Sequence, residues 1–117
     1  MRDFHNLQIW KRSHELTKHI YFATKSFPKE ELFGLTSQIR RAVSSIPTNI
    51  AEGCGRGSNA DFARFLQIAV GSASEVEYQL LLTHELGYMN IDNYQEFSQE
   101  VVEIRKMIIK LMKSLEL

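Results

Sequence analysis

Few residues in this chain have the types and spacing that chemistry needs. His14 and His19 stand five positions apart. That is about 140° around a helix, too far for the pair to ligate one metal as an i, i+4 pair would. No Glu-x-x-His occurs, so the di-iron motif of helical bundles is missing. Glu96, Glu100 and Glu103 fall in the first half of a helical stretch and read as a solvated face favoured by the helix dipole. Cys54 sits in a glycine-rich helix end with no histidine near it in sequence, and reads as a bystander. The Gly53-x-Gly55-x-Gly57 run follows a helix, not a strand, and so lacks the context of a phosphate-binding loop. No catalytic residue, metal ligand set or cofactor site emerges, and the chain is expected not to be an enzyme.

One polar constellation keeps helical spacing. Asn49, Glu52 and Arg56 are separated by three and four, with the acid ahead of the base, the favourable order for a helix pair. If exposed, such a pair adds only about 0.2–0.5 kcal/mol. Two readings stand: a solvated salt bridge near a helix end, or a polar network at a subunit seam with partners near Ser72 and Glu75.

These residues must be positioned by helices, because apolar residues recur at helical spacing four times and no strand-like alternation of any length occurs. The first helix is expected from about Asn6 to Lys25, with Leu7, Trp10, Thr17, Ile20, Tyr21 and Thr24 on one face. Ser26-Phe27-Pro28 ends it. The second begins near Leu35 or Thr36, with a stripe of Leu35, Ile39, Val43, Ile46 and Ile50. Pro47 lies inside it and removes the bond to the Val43 carbonyl. A kink is expected there and not a break, since the stripe continues unshifted to Ile50. Gly53, Gly55 and Gly57 are expected to stop this helix. Ser58 and Asp61 then resemble a capping box. Phe62, Leu66, Ala69, Ala73, Val76 and Leu80 form the seam of the third helix, which runs to about Leu86. Asn90 and Asp92 offer caps for the fourth, whose stripe is Tyr94, Phe97, Val101, Ile104, Ile108, Leu111 and Leu115.

The fold class is therefore all-α: an up-down-up-down antiparallel four-helix bundle with a kinked second helix, one domain over residues 1–117. Ala69, Gly71, Ser72, Ala73 and Ser74 face Ala42, Ser44, Ser45 and Ala51, so helices 2 and 3 should form the tightest pair. A second stripe lies beside the core seam of helix 3: Phe65, Ile68, Ser72, Glu75, Gln79, Leu82 and Leu86. Helix 2 carries a polar counterpart in Ala42, Ser45, Asn49, Glu52 and Arg56, and helix 4 adds Val102, Ile109 and Met112. The stripe is either a wide core face or a seam between subunits.

Composition narrows the classes further. The formal net charge is zero, which disfavours a strongly basic nucleic-acid binder of the simplest kind. A single cysteine permits no intrachain disulfide. The N-terminus does not read as a signal peptide, and no apolar run approaches a membrane span of about 18–20 residues. A cytoplasmic protein without membrane contact is expected. Zero net charge hides an asymmetry, however. In the up-down-up-down bundle one pole gathers Arg2, Lys11, Arg12, Arg56, Arg64, Arg105, Lys106, Lys110 and Lys113 against Asp3, Glu15, Glu52, Asp61 and Glu116. The other gathers Glu30, Glu31, Glu77, Glu85, Asp92 and Glu96. A basic pole of this kind can hold phosphate backbones without reading sequence.

The second and third helices carry a longer pattern. Ser45-Ile46-Pro47, then Asn49-Ile50-Ala51-Glu52-Gly53 and Arg56, then Phe62 to Leu66, Ala69 and Gly71-Ser72-Ala73-Ser74-Glu75 resembles the four-helix-bundle family encoded in intervening sequences of bacterial large-subunit ribosomal RNA genes. Phe4-x-x-Leu7-x-Ile9-Trp10 is similar to that family as well, so the resemblance spans essentially the whole chain. The family is in turn similar to the accessory variability determinant of diversity-generating retroelements, a homopentameric barrel that works with a reverse transcriptase and nucleic acid. The resemblance implies a homopentamer and contact with RNA or DNA. Asn49, Glu52, Arg56, Phe65, Ile68, Ser72 and Glu75 are then the oligomer or motif residues. Lys11, Arg12, Arg56, Arg64, Arg105, Lys106, Lys110 and Lys113 are the candidates for nucleic acid. The competing expectation is a scaffold whose second stripe docks another protein, with no role for nucleic acid. A small-molecule-binding bundle would need a sizeable internal pocket, which the bulky core residues oppose.

Overall fold

The computed structural model describes residues 2–115, so Glu116 of the expected basic pole lies outside the described residues. Four helices follow in order: α1 (Gln8–Ala23), α2 (Leu35–Cys54), α3 (Asn59–Glu85) and α4 (Ile91–Ser114). Short 3₁₀ turns at Phe4–Asn6, Thr24–Ser26 and Lys29–Glu31 flank α1 and lead into α2. Each helix packs on its sequence neighbours, and α4 returns to α1 to close the ring. The result is a rod of 43 × 23 × 20 Å.

The helix ends follow from local chemistry. Ser58 accepts the Asp61 N–H at 3.2 Å and starts α3. Asp61 does not complete a reciprocal box; its carboxylate lies 3.7 Å from Arg64 Nε. Asn90, rather than Asp92, caps α4 by accepting the Asn93 N–H at 2.8 Å. α2 runs without interruption through Pro47, which is buried.

The expected core stripes of α2 and α3 are met except at the first position: Ile39, Val43, Ile46 and Ile50 face Phe62, Leu66, Ala69, Ala73, Val76 and Leu80, all without solvent exposure, while Leu35 is only half-buried and Thr36 beside it is buried. Phe97, Val101, Ile104 and Ile108 of α4 close the core. α1 departs from expectation. Its buried positions are Ile9, Ser13, Leu16 and Ile20, while Tyr21 is 41% exposed. The reason is that the flank toward α2 is polar: Thr17 Oγ1 donates to the carbonyls of Ser13 and Val43, at 2.7 and 3.2 Å. Trp10 lies across His14, with ring centres 4.8 Å apart.

α2 ends within the expected glycine run, at Cys54 with Gly55 as its C-cap, while Gly53 lies inside the last turn. A Cβ there would stand 2.9 Å from Phe65 Cβ and 3.1 Å from Phe62 Cδ1. The residue is glycine because α3 crosses too close for any side chain. Of the helix pairs adjacent around the ring, α2 and α3 are accordingly the most extensively packed, and α1 and α4 the least.

Candidate functional site

The outer face of α2 and α3 carries the second stripe, and the structure divides it. Phe65 and Gln79 are buried. Ser72 is half-buried and shares a hydrogen bond with Ser45 across the helices, Oγ to Oγ at 2.8 Å. Asn49 donates to both the Ser45 carbonyl and the Ser45 hydroxyl, at 2.8 and 2.9 Å. Thus Asn49, Ser45 and Ser72 form one chain of hydrogen bonds in the seam. Glu52 stays exposed and lies 3.7 Å from Arg56, so it belongs to a surface pair and not to that network. Glu75 is exposed too, and accepts from Gln79 Nε2 at 3.3 Å. Gln79 Oε1 is buried without a protein partner. Ile68 at 43% and Leu86 at 50% exposure leave apolar surface at either end of this polar centre. On α4, Val102 and Met112 pack against the core and only Ile109 is exposed.

The basic pole is also divided. Arg12 grips Glu100 through two bonds, Nε to Oε2 at 2.9 Å and Nη2 to Oε1 at 2.6 Å. That hydrogen bonding raises the guanidinium pKa above its ordinary value, against the opposing effect of burial. Arg105 donates from Nη1 to Glu77 at 2.6 Å and to Ser74 at 3.3 Å. Both arginines therefore neutralise carboxylates within the bundle instead of offering charge to solvent. Glu100 is correspondingly a brace between α4 and α1, not part of a solvated acidic face.

Arg56 and Arg64 remain at the surface and both lie over Phe65, at 4.8 and 4.6 Å from the ring centre. Each such contact contributes about 0.5–1 kcal/mol at an exposed site. Their carboxylate partners, Glu52 and Asp61, are no closer than 3.7 Å. Lys11, Lys106, Lys110 and Lys113 are exposed. None of them has a carboxylate within ion-pair distance among the described residues. Lys106, Lys110 and Lys113 follow each other by four and three along α4, so they share its outer face.

The N-terminal segment joins this pole, where Arg2 was expected; the contacts that hold it there were not legible in the sequence. Arg2 N–H donates to the Cys54 carbonyl at 3.0 Å. Its guanidinium donates to Asn59 at 2.7 Å and lies 4.2 Å from the Phe62 ring centre. Cys54 is buried beneath this strap, and desolvation pushes its thiol pKa up. Also passed over were Arg40 and Arg41 on α2. The lone signal for them was two adjacent cations with no acid at helical spacing on the following turn.

His14 and His19 each stack on an aromatic ring, Trp10 and Phe97 respectively. Among the described residues no group of three or more His, Cys, Asp or Glu side chains could hold a metal ion. No described helix is long and apolar enough to cross a membrane.

A family model for the 23S rRNA-intervening sequence protein matches residues 5–110. Among solved structures, a protein of unknown function from the S23 ribosomal protein family of Bacteroides thetaiotaomicron VPI-5482 superposes with a TM-score of 0.81 at 30% identity. The match covers 90% of this chain and 98% of that one. No curated protein matches the chain. The chain belongs to the 23S rRNA-intervening sequence protein family.

Proposed function

We propose that this bundle is a cytoplasmic, non-enzymatic homo-oligomer that contacts structured RNA or a ribonucleoprotein through its basic pole. The observation that carries the reading is the lysine stripe of α4. Lys106, Lys110 and Lys113 stand on one exposed face with no ion-pair partner among the described residues, whereas Arg12 and Arg105 are held by carboxylates. Arg56 and Arg64 over Phe65 add a second basic surface at the same pole. The outer α2–α3 face is the subunit seam: a hydrogen-bonded polar centre fixes the angle and Ile68 and Leu86 supply apolar contact. Five copies, the number the resemblance implies, would bring the lysine stripes into a ring.

Phosphate contacts release counterions, so RNA affinity should fall steeply between roughly 50 and 200 mM salt, with each lost contact lowering the salt slope by about 0.7–0.9. Anisotropy titrations of a labelled RNA hairpin test this. Replacing Lys106, Lys110 and Lys113 with alanine should weaken binding and flatten the salt slope; unchanged affinity overturns the reading. The second reading, a scaffold that docks another protein on the same seam, is favoured by the zero net charge. It predicts a salt-resistant assembly, by light scattering, that ignores RNA.

A further inference from the structure

The end of the molecule away from the lysine stripe holds a groove of about 350 Å³ between α1 and α2, bounded by Tyr21, Leu32, Phe33, Thr36, Arg40 and Arg41. Four observations distinguish it. Phe33 is 94% exposed and Leu32 50%, the largest apolar exposure in adjacent positions among the described residues. The loop that presents them is pinned: Glu31, Leu32 and Gly34 N–H groups donate to Pro28, Lys29 and Glu31 carbonyls at 2.9–3.1 Å. Glu31 further accepts from Leu35 N–H at 3.2 Å and from the Tyr88 hydroxyl at 3.2 Å. An aromatic side chain held out on a rigid loop loses little entropy when it is covered.

The third observation is charge. Arg12, Arg56, Arg64 and Arg105 all have a carboxylate within 4.0 Å. Arg40 and Arg41 have none among the described residues. Arg40 donates only to neutral oxygens, Thr24 Oγ1 at 2.9 Å and the Tyr21 carbonyl at 3.2 Å, and lies 4.9 Å over the Tyr21 ring. Arg41 donates to Ser37 Oγ at 3.3 Å. Arg40 is thus a charged fork fixed in place before any anion arrives, with donors to spare. The fourth is Thr36, 3% exposed, which lines the groove and whose hydroxyl is buried below that surface with no protein partner among the described residues.

We propose that this groove docks a segment of a partner protein in which a carboxylate side chain stands beside a bulky apolar one. The carboxylate meets Arg40 and Arg41, and the apolar side chain packs between Phe33, Leu32 and Tyr21. A polyphosphate fits worse, because it would leave Phe33 and Leu32 uncovered and would bring several negative charges, not one, beside Glu30 and Glu31. The surface is separate from the lysine stripe, so the two readings fail separately.

The test is an NMR titration with acetyl-Gly-Glu-Leu-Asp-Phe-Gly-amide and its Gln/Asn counterpart. The acidic peptide should shift the resonances of Phe33, Thr36 and Arg40 saturably, and the neutral one should bind about tenfold more weakly or worse, a difference of about 1.4 kcal/mol. Phe33→Ala and Arg41→Ala should each weaken the acidic peptide by a similar factor. Arg40 also braces α1 on α2, so Arg40→Lys, which keeps the charge and the fold but loses the fork, should give an intermediate loss. The lysine-stripe triple variant should bind the peptide normally. No saturable shift at millimolar acidic peptide overturns the proposal, as does equal affinity for the neutral peptide. An RNA hairpin that moves the same resonances assigns the groove to nucleic acid instead, and dilution alone moving Phe33 assigns it to a second copy; either result overturns it.

Discussion

The two seams that run the length of the bundle are built on different principles. α2 and α3 meet through absence: Gly53 lets Phe65 Cβ approach to where a Cβ would sit, and Ala69 and Ala73 lie in the same contact. What polarity the seam has is short and internally bonded, Asn49 to Ser45 to Ser72. α1 and α4 meet through reach. A groove of about 630 Å³ remains between them, and Arg12 spans it to Glu100. Close backbone approach gains dispersion and excludes water, whereas a long ion pair holds a distance without filling it. The first seam is therefore a place where volume decides stability, and the second a place where charge adjusts it.

Deleting the same atoms from each seam should expose that difference most strongly. Leu66 on α3 is fully enclosed, while Leu16 on α1 borders the open groove. A leucine-to-alanine change costs about 2–5 kcal/mol, and its position in that range depends on whether the surroundings can relax into the space. Leu66→Ala should fall near the top and Leu16→Ala near the bottom in urea unfolding at matched protein concentration. Equal costs would mean that the α1–α4 groove is as rigid as the closed seam. The converse change comes next in size. Gly53→Ala puts a methyl 2.9 Å from Phe65 Cβ, a neighbour that cannot rotate away. Overpacking of this kind costs about 1–3 kcal/mol. A stability unchanged or raised by the extra helix propensity of alanine would show that α3 moves freely away from α2.

The same contrast explains what could be read from the residues alone. Spacing by three and four identified the fully buried apolar positions from Ile39 to Ile50 and from Phe62 to Leu80, but not the buried hydroxyl residues Thr36 and Thr83 at the far ends of α2 and α3. It misplaced the face of α1, where Ser13 is buried and Tyr21 exposed, since half of that face is polar and bonded to backbone carbonyls. Gly53 read as a terminator because glycine at a helix end is common; only the position of Phe65 on the neighbouring helix shows its actual role. The cations were not legible as individuals: Arg105, expected at the basic pole, pairs with Glu77, expected at the other. Arg12 finds Glu100 across 88 positions of sequence, and no local pattern announces a partner at that distance. The same limit hid Arg40 and Arg41, whose significance is that no carboxylate comes to them.

A double-mutant cycle on Arg12 and Glu100 sharpens the comparison at a smaller scale. Both side chains are about one-third exposed, so water and salt screen the pair despite its two-point geometry. The coupling should be about 0.2–1 kcal/mol and should shrink as salt rises. Arg12→Ala alone should cost more than the coupling, because its guanidinium also reaches Met107, donating from Nη1 to the sulfur at 3.1 Å. A coupling that survives high salt undiminished would mean that the groove excludes water and that α1 and α4 are held as tightly as the other pair.

The smallest effect concerns the strap that crosses the end of the α2–α3 seam and has no counterpart at α1–α4. Asp3 holds its turn by accepting from His5 Nδ1 at 2.7 Å and from His5 N–H at 3.0 Å. The side-chain bond first, and the backbone bond second, lower the Asp3 pKa from its usual value. A carboxylate depressed in the folded state contributes above the unfolded value of about 3.9 and loses that contribution as pH falls through the folded one. Both groups are exposed, so global stability should hardly register the change. The strap should: acidification frees the turn, and exchange of the Arg2 N–H with solvent should accelerate as its bond to the Cys54 carbonyl opens more often. His5→Ala should move the Asp3 midpoint only part of the way back, because the backbone donor remains. Amides in α1 and α4 should keep their exchange rates relative to the general pH trend. If they change together with Arg2, the strap closes the whole bundle and not one seam of it.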